Sequence, residues 1–95
     1  MAYWSEPDRR LFSRMNKVLR ALAEEHGVRF IEDDGLGVRY AAEFGSNNIE
    51  GCLVRDDGHY VVVVWSLDTV RNLEPEALER IVRATVSEPL QALVG

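Results

Sequence analysis

Residues 56–65 read DDGHYVVVVW. A turn signal, Asp-Asp-Gly, runs directly into a tyrosine, four valines and a tryptophan. β-branched and aromatic residues favour strand, and neighbours in a strand point to opposite faces. This strand is therefore apolar on both sides. One side is explained by a core. The other needs a covering that a chain of 95 residues has little material to provide.

Working backwards, Asp33-Asp34-Gly35 repeats the same tripeptide. Both copies suit a three-residue hairpin loop, a type I turn with glycine in the left-handed position. Gly45-Ser46-Asn47-Asn48 between them suits a four-residue hairpin. Four strands are predicted, over residues 28–33, 36–44, 49–55 and 59–67. Short loops in succession predict an antiparallel meander.

Directly opposed residues share a face, so the loop lengths imply a register. The first loop pairs Phe30 with Val38 and Val28 with Tyr40. The second pairs Phe44 with Ile49, Ala42 with Gly51 and Tyr40 with Leu53. The third pairs Leu53 with Val61, Gly51 with Val63 and Ile49 with Trp65. All three assign one face to Val28, Phe30, Val38, Tyr40, Ala42, Phe44, Ile49, Leu53, Val61, Val63 and Trp65, which is the expected core.

The opposite face holds Arg29, Ile31, Arg39, Ala41, Glu43, Glu50, Cys52, Val54, Tyr60, Val62, Val64 and Ser66. Its first two strands are largely charged. Its last two contribute Cys52, Val54, Tyr60, Val62 and Val64, an apolar patch of a kind seldom left wet. In a meander the fourth strand is also an edge, which invites pairing. Two coverings are open, the segment after Pro89 folding back or another chain, as a homodimer or with a client peptide; a strand order other than the meander is the third reading.

Helices flank the strands. Leu11, Met15, Val18 and Leu22 recur at helical spacing over about Glu6 to His26. Ser5 stands as N-cap, Asp8 as a capping-box partner and Gly27 as the stop. A second helix is expected from about Leu73 to Val94, with Pro75 in its first turn and a stripe of Leu78, Ile81, Val82 and Val86. Ser87-Glu88-Pro89 predicts a kink or a new short helix. The chain reads as one α+β domain over 1–95. It is two-layered, a four-stranded antiparallel meander flanked by an N-terminal and a C-terminal helix (α-β-β-β-β-α).

Composition narrows function. The hydrophobic share of 46% and charged share of 28% are those of an ordinary globular protein. A net charge of -5 argues against nucleic acid, whose phosphates need a Lys/Arg excess. The first residues lack the apolar core of a secretory signal, and the longest apolar run, Tyr60 to Trp65, is far below the about 18 residues of a membrane span. With a single cysteine, Cys52, no intrachain disulfide forms. The expectation is a cytoplasmic protein that acts on no membrane.

Chemistry is hard to assemble. The paired aspartates lack the alternating carboxylates of a calcium loop. His26 and His59 are too few for a histidine-based metal set. Cys52 reads as an inert strand thiol, and Gly35-Leu36-Gly37 sits in a hairpin rather than a strand-to-helix phosphate loop. No enzyme, cofactor or metal is expected. One charge pattern remains: Arg9, Arg10, Arg14, Lys17 and Arg20 place five of the eleven basic residues on the first helix. This is either a solvated face or a docking face for an acidic partner.

The stretches LAEEHGVRFIEDDGLGVRY, LVRDDGHYVVVVWS and LEPEALERIVRATV, within about Val18 to Val86, resemble YbjN-domain proteins and the wider group with the type III secretion chaperone-like fold. The resemblance implies a helix ending near a glycine, an antiparallel meander, and a C-terminal helix with a proline near its start. It further implies a non-enzymatic protein-binding module, chaperone-like or regulatory, and usually dimeric. This chain has four strands where longer members have five or more.

The expected binding residues are therefore Cys52, Val54, Tyr60, Val62 and Val64. The alternative is a small regulator or immunity-type protein that docks an acidic partner through Arg10, Arg14 and Lys17.

Overall fold

The computed structural model describes residues 5–45 and 47–95. α1 spans Glu6–His26. The Ser5 side chain accepts the Asp8 N–H at 3.2 Å, and Gly27 closes the helix in the left-handed region at φ 68°, as the sequence predicts. The helix buries Leu11, Phe12, Met15, Leu19, Leu22 and Ala23 along one face.

A four-stranded antiparallel sheet follows, made of β1 (Arg29–Phe30), β2 (Arg39–Tyr40), β3 (Asn48–Val54) and β4 (Tyr60–Ser66). The β3–β4 hairpin has the expected register: Leu53 opposes Val61, Gly51 opposes Val63 and Ile49 opposes Trp65. Its Asp56-Asp57-Gly58 loop is closed by the Arg55 N–H on the His59 carbonyl at 2.7 Å, with Gly58 at φ 93°.

The strand order departs from the expected meander. β1 and β2 do not pair with each other; both pair with β3. Phe30 opposes Leu53, and Tyr40 opposes Ile49 rather than Leu53. β4 occupies the whole length of one edge of β3, so β1 and β2 lie end to end along the other.

Two causes are visible. At the first Asp-Asp-Gly, Asp34 (φ 51°) and Gly35 (φ 77°) both take positive φ, and Asp33 bridges Leu36. That is a two-residue turn of the I′ kind, not the expected three-residue loop. Beyond it, the Val38 N–H is taken by Oδ1 of Asn16 on α1 at 2.7 Å, so the second arm is tied to the helix rather than to the first arm.

The β2–β3 connection also differs. Ala42–Phe44 form a 3-10 turn, so Ala42 is exposed and Phe44 is 56% exposed instead of facing the core. Ala41, expected on the solvated face, is fully buried. Ser46, expected in this turn, lies outside the described residues.

A short helix α2 (Leu67–Val70) leads from β4 to α3, which runs unbroken over Pro75–Val94 with Pro89 inside it. The expected new cap at Ser87 does not form. Pro89 has no N–H to give the Thr85 carbonyl, but Leu90 and Leu93 continue the buried stripe of Leu78, Val82 and Val86, and that burial carries the helix across the proline. α1 and α3 cover one face of the sheet, forming one core with Val38, Ile49, Leu53, Val63 and Trp65.

Candidate functional site

Because the last residues of α3 pack into that core, they do not reach the other face of the sheet. Arg55 fixes this arrangement: its guanidinium donates to the Leu93 carbonyl at 2.7 Å and also engages the Asp57 carboxylate. Of the two coverings left open by the sequence, the fold-back of the segment after Pro89 is therefore excluded.

Among the described residues nothing covers the other face of the sheet, which presents the expected patch. Tyr60 is 65% exposed and Val62 44% exposed, while Cys52, Val54 and Val64 are half-buried. Val54 opposes Tyr60, Cys52 opposes Val62, and Glu50 opposes Val64, so the structure brings all five residues together on two neighbouring strands.

Two further residues join them. Ile31 and Leu36, on the excursion between β1 and β2, wall a cleft of about 220 Å3 with Cys52, Tyr60 and Val62. Arg39 lies on its rim, ion-paired to Glu50 at 3.2 Å. Strand alternation misses Leu36, because parity with Val38 and Tyr40 sends it to the core. The Gly35-Leu36-Gly37 sequence, two glycines around one apolar residue, is the available sign that the strand breaks here.

The edge of β4 can be read from hydrogen-bond alternation. At the two ends of the β3–β4 ladder, Arg55 N–H meets the His59 carbonyl and Leu67 N–H meets the Asn47 carbonyl. Odd-numbered residues of β4 thus turn their backbone groups toward β3. In an antiparallel ladder the alternate residues turn theirs away. Tyr60, Val62 and Val64 therefore direct both N–H and C=O outward, where no strand pairs among the described residues. Between Tyr60 and Ser66 there is no charge, proline or glycine, the usual guards of an edge.

The thiol of Cys52 is a poor nucleophile. Burial is the main influence pushing it above its ordinary value, with Glu50 and Asp33 acting in the same direction and Arg39 against. Among the described residues no three His, Cys, Asp or Glu side chains stand together to hold a metal, and no helix is long and apolar enough to cross a membrane.

The basic residues of α1 are exposed. Arg10 pairs with Glu6 at 3.5 Å and Arg20 with Glu32, whereas Arg14 and Lys17 make no ion pair among the described residues. Arg10, Arg14 and Lys17, at i, i+4 and i+7, form one stripe on the helix.

No protein-family model, curated protein or solved structure matches this chain.

Proposed function

We propose that this chain is a non-enzymatic protein-binding module, chaperone-like or regulatory in role, that engages another polypeptide through the open face of β3 and β4 and the edge of β4. One observation supports this above the rest. Tyr60, Val62 and Val64 each offer a side chain to the uncovered face and a backbone donor and acceptor to the open edge. Main-chain hydrogen bonds of an added strand would supply register, and side-chain contacts specificity. Apolar burial contributes about 25 cal/mol per Å2 before the costs of association. The cleft beside Cys52 suits one apolar side chain of a bound segment. The resemblance to YbjN-domain and secretion-chaperone-like proteins implies a protein-binding role of this general kind.

The test is a titration of labelled ten-residue peptides with alternating apolar residues, followed by fluorescence anisotropy. Wild-type chain is expected to bind them. Val62→Lys and Val64→Lys, checked for folding by circular dichroism, are expected to lose binding. Binding indifferent to both lysines would overturn the reading.

A second reading rests on the exposed basic stripe of a chain whose net charge is -5: a small regulator or immunity-type protein docking an acidic partner. It expects charge reversal at Arg10, Arg14 and Lys17 to abolish binding to acidic proteins while leaving the mass in solution unchanged.

A further inference from the structure

We infer that the strand completing this sheet is β4 of a second copy, paired antiparallel across a two-fold axis at Val63. The inference rests on the proposal that β4 is a protein-binding surface, and it names the partner.

An antiparallel pair of identical strands is self-complementary, and a two-fold interface brings the same patch against itself. Such an interface tolerates no charge facing its own image. Tyr60–Ser66 carries none, so like charges never meet along it. An edge without guards invites pairing whenever the chain is folded. A second copy is the partner present in matching amount at all times.

The register follows from the outward residues. Pairing β4 over its full length sets Val62 opposite Val64 of the other copy and Tyr60 opposite Ser66. The two Val62–Val64 contacts are then hydrogen-bonded pairs, because both residues point their N–H and C=O outward. Moving the axis to Val62 would instead set Ser66 against Gly58, which is already committed to the β3–β4 turn at φ 93°. The two sheets join edge to edge, and the exposed residues Tyr60 and Val62 of both copies form one continuous apolar surface.

Charge pairing tests both the partner and the register. Full-length wild-type chain, Val62→Lys and Val64→Glu are compared by sedimentation equilibrium over a range of concentrations, with circular dichroism as the folding control. Wild type is expected to be a dimer. Each variant alone is expected to raise the dimer dissociation constant at least about tenfold. An equimolar mixture of the two variants is expected to dimerise again, because the lysine introduced in one copy then faces the glutamate introduced in the other.

A mixture that stays monomeric, or variants as dimeric as wild type, overturns the inference. A wild-type chain that binds extended peptides through β4 but remains a monomer also overturns it and leaves the wider binding reading standing. A chain that dimerises in this register and binds no peptide keeps the inference and removes the wider reading.

Discussion

The phenol of Tyr40 donates a 2.6 Å hydrogen bond to Oδ2 of Asp8, joining β2 to the first turn of α1. Asp8 is only 5% exposed, and its other partner, Arg71 from the turn after α2, stands at 3.4 Å. The Tyr40 ring meets Phe12 edge-on, with centroids 5.4 Å apart. Tyr40→Phe keeps that ring contact and removes only the hydroxyl. Hydrogen bonds to a charged group are worth about 1.5–3 kcal/mol, so urea unfolding at pH 7 should show a loss in that range.

The same pair gives the protein a pH signature. The Tyr40 hydrogen bond holds the Asp8 carboxyl below its ordinary value of 3.8, Arg71 adds to this, and burial opposes it. A carboxyl lowered in the folded state stabilises above its unfolded pKa, and that stability is lost as pH falls below it. Tyr40 is shifted the other way: its hydrogen bond to Asp8 raises the phenol above 10.0, with burial and the Asp8 charge adding. That contribution is complete below the unfolded value and is lost as pH rises past it. Stability measured against pH should therefore fall less steeply below about pH 4 in Asp8→Asn than in wild type. Above about pH 10 it should fall less steeply in Tyr40→Phe.

Gly37 has no room for a side chain. An added Cβ would lie 2.5 Å from the Phe30 ring and 2.6 Å from Oδ1 of Asn16, the atom that holds Val38. At Gly51 the closest atom would be Cδ1 of Leu19, at 3.1 Å, the movable end of a side chain. Overpacking typically costs about 1–3 kcal/mol. Thermal unfolding should place Gly37→Ala toward the upper end of that range, with Gly51→Ala the milder of the two.

Asp34 holds positive φ beside Gly35, where a β-branched residue is strained. Asp34→Gly and Asp34→Asn should leave the melting temperature nearly unchanged. Asp34→Val should lower stability by about 1–2 kcal/mol. The same valine at Asp56, which does not adopt positive φ, should cost less.

Arg55 holds the end of α3 through the Leu93 carbonyl. Arg55→Ala should speed hydrogen exchange in the last turn of α3 while global stability changes little, because the guanidinium is partly exposed. Exchange unchanged across 90–94 would show that packing of Leu90 and Leu93 alone fixes the helix end.

Local signals sufficed for α1, for the β3–β4 register and for the open apolar face. Ser5 acts through its own side chain, Gly27 and Gly58 act through their own backbones, and the length of the Asp56-Asp57-Gly58 loop fixes the β3–β4 register. The strands flanking the first Asp-Asp-Gly misled because Asn16, 22 positions before Val38, takes the Val38 N–H out of the ladder. The same limit hid the break at Ala42–Phe44, where β2 gives way to a 3-10 turn. Pro89 misled in the opposite sense, because burial of Leu90 and Leu93 outweighs one lost backbone bond. Asp8 was read only as a capping-box partner of Ser5, whereas the structure buries its carboxylate on the helical face of Leu11, Phe12 and Met15, where it needs partners. Which partners they are could not be read, since Tyr40 and Arg71 reach it only through the tertiary fold.

The two sides of β3 are built on different plans. On one side β4 is whole. On the other, β1 and β2 are two residues each, separated by an excursion that breaks the ladder. A strand arriving at the broken side finds no continuous line of donors and acceptors to copy. Any growth of the sheet can therefore proceed in one direction only, and a second chain joined through its own β4 presents another broken side at the far end. Such an assembly caps itself. The fold can carry an unguarded valine-rich edge without becoming the first layer of a fibre.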